Sequence, residues 1–407
     1  MNRKIAVVLS GIMLICALTG CNGKNNNSNE ANSAVSASSA ASTDQNITDT
    51  SMPIFNDIDS LAKMPLSEID PDEFVTLGEY KGVTVEIAAP NVTDEEVEEA
   101  IKNLAMSSPL IIDVTDRAVQ TGDVVNIDFE GKYADTKEAF NGGTAQGYDL
   151  EIGSGAFIPG FEDALIGVEI GDSKDIPLTF PSDYGAAELA GKDVIFTVKV
   201  NKISVKSSDV TDEWAKSLAF DGVTDVASLK DYARENLLKE ATNNYETQLR
   251  EEVTNIVEDN CTFKELPEEV YNSFLALQRD TILSLVDRYY SMTNQQATME
   301  DIVKMMMQYG GEEAGTPEEY VQKLVKSSAN RYVMLAAIAK NEGLEVTDEE
   351  VDAFIKDIYG KNYSTEEVSL ETLKEELDVE TVRQSLLADK VNKFLAENAN
   401  VVEPVNN

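Results

Sequence analysis

The chain contains no histidine at all. That absence argues against Ser-His-Asp hydrolases, most zinc enzymes and most histidine-mediated acid–base catalysis. Carboxylate and cofactor chemistry survive it. Cations are scarce too: 33 Lys and Arg face 74 Asp and Glu, for a formal net charge of −41. Nucleic-acid binding is not expected, because neutralising phosphate takes basic patches. The charge favours solubility and repels anionic surfaces. Cysteine is limited to Cys16, Cys21 and Cys261. If Cys16 leaves with an export leader and Cys21 is lipidated, Cys261 has no partner for an intramolecular disulfide. With no histidine to activate it, Cys261 is not expected to be reactive.

The beginning of the chain has a definite pattern. Met1-Asn2-Arg3-Lys4 is basic, and the run from Ile5 to Leu18 is largely apolar. This is the n-region and h-region of an export signal. The run is shorter than the ~20 residues a transmembrane helix needs. It closes on Leu18-Thr19-Gly20-Cys21, which looks like a lipobox, with cleavage before Cys21 and diacylglycerol on its thiol. Two acyl chains anchor stably where one is marginal. The expected site is therefore the extracytoplasmic face of the cell membrane, with the lipid anchor as the membrane contact. Residues 22–60 follow as a polar stretch rich in Asn, Ser and Ala, expected to be a disordered tether.

Beyond the tether the chain is long enough for two or three domains. Residues 61–117 hold an alternating strand (Val83, Val85, Ile87) and a helix opened by the capping box Thr93 and Glu96. Residues 118–206 are strand-rich, punctuated by Gly and Pro, with one short helix near Phe161–Ile166. From 207 to 407 the period changes: apolar residues recur at three and four spacing, the mark of amphipathic helices. Proline is confined there to segment starts such as Pro267 and Pro317. Val-Thr-Asp-Glu-Glu-Val occurs twice, at 92–97 and 346–351. Each copy reads as a helix start with acidic residues at the positive helix end. A structural repeat is the other reading.

The most informative stretch is Leu150-Glu-Ile-Gly-Ser-Gly-Ala-Phe-Ile-Pro-Gly-Phe161. A strand gives way to a Gly-rich turn, and bulky apolar residues stand where a loop is normally polar. Upstream, Val124–Gly131 alternates as a strand. Downstream, Thr179-Phe180-Pro181-Ser182-Asp183-Tyr184 adds aromatics near a turn. In this order the three pieces resemble FKBP-type peptidyl-prolyl isomerases, in particular the kind carried by trigger factor. The flanking segments resemble the rest of that family: 76–117 its linker, 209–402 its helical chaperone domain. The family's ribosome-binding domain has no counterpart here, so ribosome docking is not expected.

The resemblance implies an α+β chain: an FKBP-like antiparallel sheet with a short helix, then a mostly α-helical domain. It implies peptidyl-prolyl isomerase activity without metal or cofactor. It places Phe129, Phe140, Tyr148, Tyr184 and Phe196 on the walls of a prolyl pocket. Phe157 and Ile158 border that pocket, the Ile158 N–H donates to substrate, and Phe161 is the floor. The acidic position after the loop aromatic is Asn141 here, and the loop after Tyr184 is short. The implied partners are unfolded or newly exported, proline-containing polypeptides. Two other readings remain: a non-catalytic holdase with an FKBP-like binding domain, and a solute-binding lipoprotein.

Overall fold

The computed structural model describes residues 51–311, 315–362 and 369–404. Cys21, the leader and residues 22–50 of the tether lie outside them. The chain divides into two compact units, Pro90–Thr242 and Met1–Ala89 with Asn243–Asn407. Before the first unit come two short strands, β1 (Val75–Thr76) and β2 (Thr84–Glu86).

The unit Pro90–Thr242 opens with α1 (Asp94–Ser107). Its capping box forms as the sequence requires: Thr93 Oγ1 accepts from the Glu96 N–H at 3.2 Å, and Glu96 Oε2 from the Thr93 N–H at 2.7 Å. Strands β3 (Leu110–Val114), β4 (Val124–Tyr133) and β5 (Ala139–Glu151) follow, then α2 (Phe161–Leu165), β6 (Ser173–Thr179) and β7 (Asp193–Ser207). They build one antiparallel five-stranded sheet in which β7 pairs with β4, β3 and β6, and β4 also pairs with β5. Strand β4 buries Val125, Ile127 and Phe129, the alternation expected of a strand with one face on the core. Strand β7 buries Val194, Phe196, Val198 and Val200, then jumps to Ile203. A bulge causes the jump: Asn126 pairs with Lys202 but Ile127 with Val200, leaving Asn201 over. The unit closes with α3 (Asp212–Ser217) and the first part of α4 (Val226–Asn260). Trp214 of α3 is fully buried against α1, and its Nε1 donates to the Ser108 carbonyl at 2.8 Å.

The other unit is helical. After β8 (Thr262–Phe263) come α5 (Glu268–Thr293), α6 (Met299–Tyr309), α7 (Pro317–Glu342), α8 (Asp348–Asn362), α9 (Leu370–Glu376), α10 (Val379–Glu397) and β9 (Asn400–Val402). Strand β1 pairs antiparallel with β8, and β2 parallel with β9. The largest core lies among α5, α6 and α7, with Phe274, Ile282, Val303, Val321, Val325 and Val333 buried in it.

Two features depart from sequence expectation. Residues 51–60, read as the end of a disordered tether, are ordered in this structure. They form three-residue 3-10 turns at Pro53–Phe55 and Ile58–Ser60. Met52, Phe55 and Ile58 are buried in the helical core. Each such burial is worth about 1.5–3 kcal/mol before ordering entropy is counted, and that is the interaction a polar tether lacks. The second feature concerns the repeated hexapeptide. Both copies cap helices, Thr347 and Glu350 exchanging hydrogen bonds as Thr93 and Glu96 do. Both are also clamped by an arginine from another helix. Arg234 donates to the Val92 carbonyl at 3.2 Å and pairs with Asp94. Arg383 donates to the Val346 carbonyl at 2.7 Å and pairs with Asp348 at 2.6 Å. At both copies the helix cap is thus reinforced by an arginine from a second helix.

Candidate prolyl-isomerase site

The rings predicted for the pocket meet at one end of the sheet. Phe129 is the hub. It makes edge contacts with Phe157 at 5.3 Å, Tyr148 at 6.1 Å, Phe161 at 6.2 Å and Phe196 at 6.2 Å between ring centroids. Phe161 and Phe196 meet edge to face at 5.2 Å. Such arrangements set the positive ring edge against the negative face. Phe140 joins through Phe196 at 5.6 Å. Tyr184 joins less directly, through Phe180: that ring lies 4.7 Å from Tyr184 and 5.7 Å from Phe140. Phe180 thus links two predicted residues, a part not assigned to it from sequence.

Two glycines make room for the Phe140 ring. A Cβ on Gly131 would lie 2.5 Å from Phe140 Cζ and 2.7 Å from Phe196 Cε1. A Cβ on Gly143 would lie 2.5 Å from Phe140 Cε2. Any side chain at either position would push the ring away.

The loop before α2 carries Phe157 and Ile158, and a residue that sequence reasoning missed positions it. Glu162 is buried, and its carboxylate turns back into the loop. It accepts from the N–H of Gly153 at 2.7 Å, Gly155 at 3.1 Å and Phe157 at 3.2 Å. Burial opposes its ionisation, but the backbone N–H groups outweigh it and hold the carboxyl below the ordinary glutamate range. The signal was present in the sequence: a Gly-Ser-Gly turn has backbone donors and no ladder to satisfy them, so a nearby carboxylate is called for. Gly160 takes φ +90°, a left-handed conformation that lets the chain enter α2 directly after Pro159. On the neighbouring turn, Asp123 receives two bonds from Arg117, at 2.6 and 2.7 Å, and one from the Gln120 N–H at 2.8 Å. Asp123 backbone atoms then tie this turn to the loop, accepting from the Ile152 N–H at 2.8 Å.

Tyr148 is held from the side. The Gly147 N–H donates to Asp128 at 2.8 Å, and Asn126 Nδ2 donates to the Gly147 carbonyl at 3.0 Å. That N–H is the main reason the Asp128 carboxyl sits below its ordinary range. Tyr148 and Tyr184 are 41% and 40% exposed and form the solvent-facing rim. Phe157 and Ile158 are half-buried, and among the described residues the Ile158 N–H has no hydrogen-bond partner. Its carbonyl is used, accepting from the Phe161 N–H at 3.1 Å. The floor ring is covered: Phe161 is 0% exposed, and Phe157 stacks on it at 4.2 Å with 22° between the ring planes. A proline reaching Phe161 must displace Phe157.

Residues 115–201, which contain this site, match the family described as FKBP-type peptidyl-prolyl cis-trans isomerase. Residues 225–397 match the C-terminus of bacterial trigger factor. A trigger factor of Acetivibrio thermocellus is 37% identical over 330 residues, 81% of this chain and 73% of its own. A trigger factor of Bacillus subtilis is 34% identical over 327 residues, 80% and 73% of the two chains. The chain belongs to the trigger factor family. A solved trigger factor chaperone aligns over 79% of this chain and 72% of its own, at 19% identity and a TM-score of 0.40. Within the family frame, all eight predicted pocket residues fall in the FKBP-type region. Trigger-factor character also accounts for the two parts of the architecture, an FKBP-type sheet and a helical C-terminal region.

Proposed function

We propose that this trigger-factor relative is an extracytoplasmic foldase, catalysing cis/trans isomerisation of X–Pro bonds and holding unfolded exported chains. The observation that carries the isomerase reading is the pairing of an aromatic cluster with an Ile158 N–H that has no partner among the described residues, on a loop pinned by Glu162. The barrier to rotation about the amide is ~18–20 kcal/mol, and no bond need break. A twisted amide loses resonance and polarity, so an apolar slot walled by Phe129, Tyr148 and Phe196 favours it over the planar form. The Ile158 N–H holds the substrate carbonyl while the proline ring takes the place of Phe157 above Phe161. Acid–base groups and cofactors have no part in this scheme.

A proline-limited refolding assay tests it on the full chain. The wild type should accelerate the slow phase, and Tyr184→Ala, Ile158→Ala and Phe196→Ala should slow that acceleration about tenfold or more. No acceleration by the wild type would remove the enzyme claim and leave the holdase reading. The stacking of Phe157 on a covered Phe161 is the observation that favours this second reading.

The location rests on sequence: the basic start, the apolar run and Leu18-Thr19-Gly20-Cys21 support export and lipidation at Cys21. The proposed partners are therefore exported polypeptides and, through the lipid, the membrane; ribosomes and nucleic acids are not among them. Labelled palmitate should enter the wild type and not Cys21→Ser, and that variant should leave the membrane fraction. A labelled, membrane-bound Cys21→Ser chain would end the lipoprotein proposal.

A further inference from the structure

Residues 51–74 lie on the helical unit without a helix or strand of their own. They make four separate 3-10 turns, Pro53–Phe55, Ile58–Ser60, Leu66–Glu68 and Pro71–Glu73. Met52, Phe55, Ile58 and Ile69 are nevertheless buried in the core shared with α5, α6 and α7. The backbone of this strap is gripped mainly by side chains. Asn272 Nδ2 of α5 donates to the Ala62 carbonyl at 3.1 Å. Ser273 Oγ lies 2.8 Å from the Met64 carbonyl oxygen, and Tyr332 Oη of α7 donates to the Leu66 carbonyl at 2.8 Å. The Met64 N–H donates to the Glu269 carbonyl at 3.2 Å. Two cations hold its carboxylates: Arg279 pairs with Asp59 at 2.7 Å, and Lys340 with Asp70 at 3.0 Å and Asp72 at 2.5 Å.

The gripped carbonyls are those of residues 62, 64 and 66; the first two lie in a stretch without regular structure, and the third opens the 3-10 turn Leu66–Glu68. Every residue has a carbonyl, so this grip reads backbone and not a sequence. Around it the helices offer Met299, Met305, Met306 and Met307, side chains that adapt to irregular apolar shapes. The strap has the properties of a bound unfolded peptide that happens to be covalently attached.

We infer that residues 51–74 are an intramolecular competitor for client: the groove of α5 and α7 takes an irregular apolar polypeptide bordered by carboxylates, and such a segment from an unfolded protein displaces the strap. The inference rests on the chaperone reading above. Displacement is feasible because backbone–backbone bonds from the strap to the helical unit are few, the Met64 N–H to Glu269 and the Phe74 carbonyl from Lys264 beside β1, and ordering two dozen residues opposes the burial of its apolar side chains. While the strap is seated, apparent client affinity falls in proportion to the fraction of molecules with the groove open.

The test uses the full chain and a fluorescent, reduced and alkylated, permanently unfolded polypeptide as probe. Phe55→Ala/Ile58→Ala and, separately, Arg279→Ala/Lys340→Ala loosen the strap from opposite sides. With helical circular dichroism unchanged, both should bind the probe more tightly, the first by about tenfold. A synthetic peptide of residues 51–74 should compete with the probe on the loosened chains. In the wild type, saturating probe should strip hydrogen-exchange protection from residues 60–69, a readout that needs no variant to fold. Equal or weaker probe binding by the variants, or unchanged protection in the probe-saturated wild type, would make the strap a permanent part of the core and overturn the inference alone. No probe binding by any of the three chains would overturn the chaperone reading with it.

Discussion

The loop 153–160 and the strap 51–74 both place large apolar side chains outside long helices and strands, yet they are fastened in different ways. The loop is held from within its own turn: Glu162 reaches back five to nine residues to three backbone N–H groups. The strap is held from afar, by Asn272, Ser273 and Tyr332, more than two hundred residues along the chain. A local pin sets a shape before anything binds. A distant grip on backbone carbonyls sets no particular sequence.

Substitutions can break or sharpen this contrast. Phe161→Ala should have the largest effect, because it empties a fully buried ring site beneath Phe157. About 3–5 kcal/mol should be lost from the sheet unit in urea unfolding. Phe55→Ala removes an equally large ring from the strap, but the segment can open locally without global unfolding. Its effect on the helical transition should be clearly smaller; an equal one would erase the contrast. Glu162→Gln should cost about 1.5–3 kcal/mol of loop order, the range for hydrogen bonds to a buried charge. Amide exchange at Gly153, Gly155 and Phe157 would show it, and unchanged exchange would deny Glu162 its positioning role.

Acid should mimic that substitution. The folded Glu162 carboxyl lies below its ordinary range, so its contribution is complete above the unfolded value, about 4.3. It drains away as pH falls from there through the lowered folded value. Loop protection should weaken in that window in the wild type and stay level in Glu162→Gln. The smallest effect belongs to Lys340→Ala, whose exposed ion pairs with Asp70 and Asp72 should leave the thermal midpoint unmoved. A marked drop in that midpoint would make the strap's charges structural.

Much of the sheet unit is legible in its sequence. The period-2 pattern of β4, the capping box at Thr93 and the run Phe157–Phe161 are local statements, and local geometry carries them out. The flip of β7 at Asn201 was not legible, because a bulge is fixed by the register of β4 beside it. Nor was the covering of Phe161: adjacent apolar residues in a turn specify bulk, not which ring lies over which. The stretch before Phe74 is legible only in part. Met52, Phe55 and Ile58 are sparse among polar residues, and nothing nearby in sequence announces the helices that bury them.

Sequence alone determined the long strands of the sheet, the long helices and where those helices start. Those properties follow from side-chain period, capping chemistry and turn residues within a few positions of one another. Tertiary structure decided the rest: Glu162 as the internal brace, Phe180 as the link to Tyr184, Phe157 over the floor, and residues 51–74 seated on α5 and α7. Each depends on groups meeting across the fold, where burial and unpaired backbone atoms choose partners that spacing along the chain does not encode.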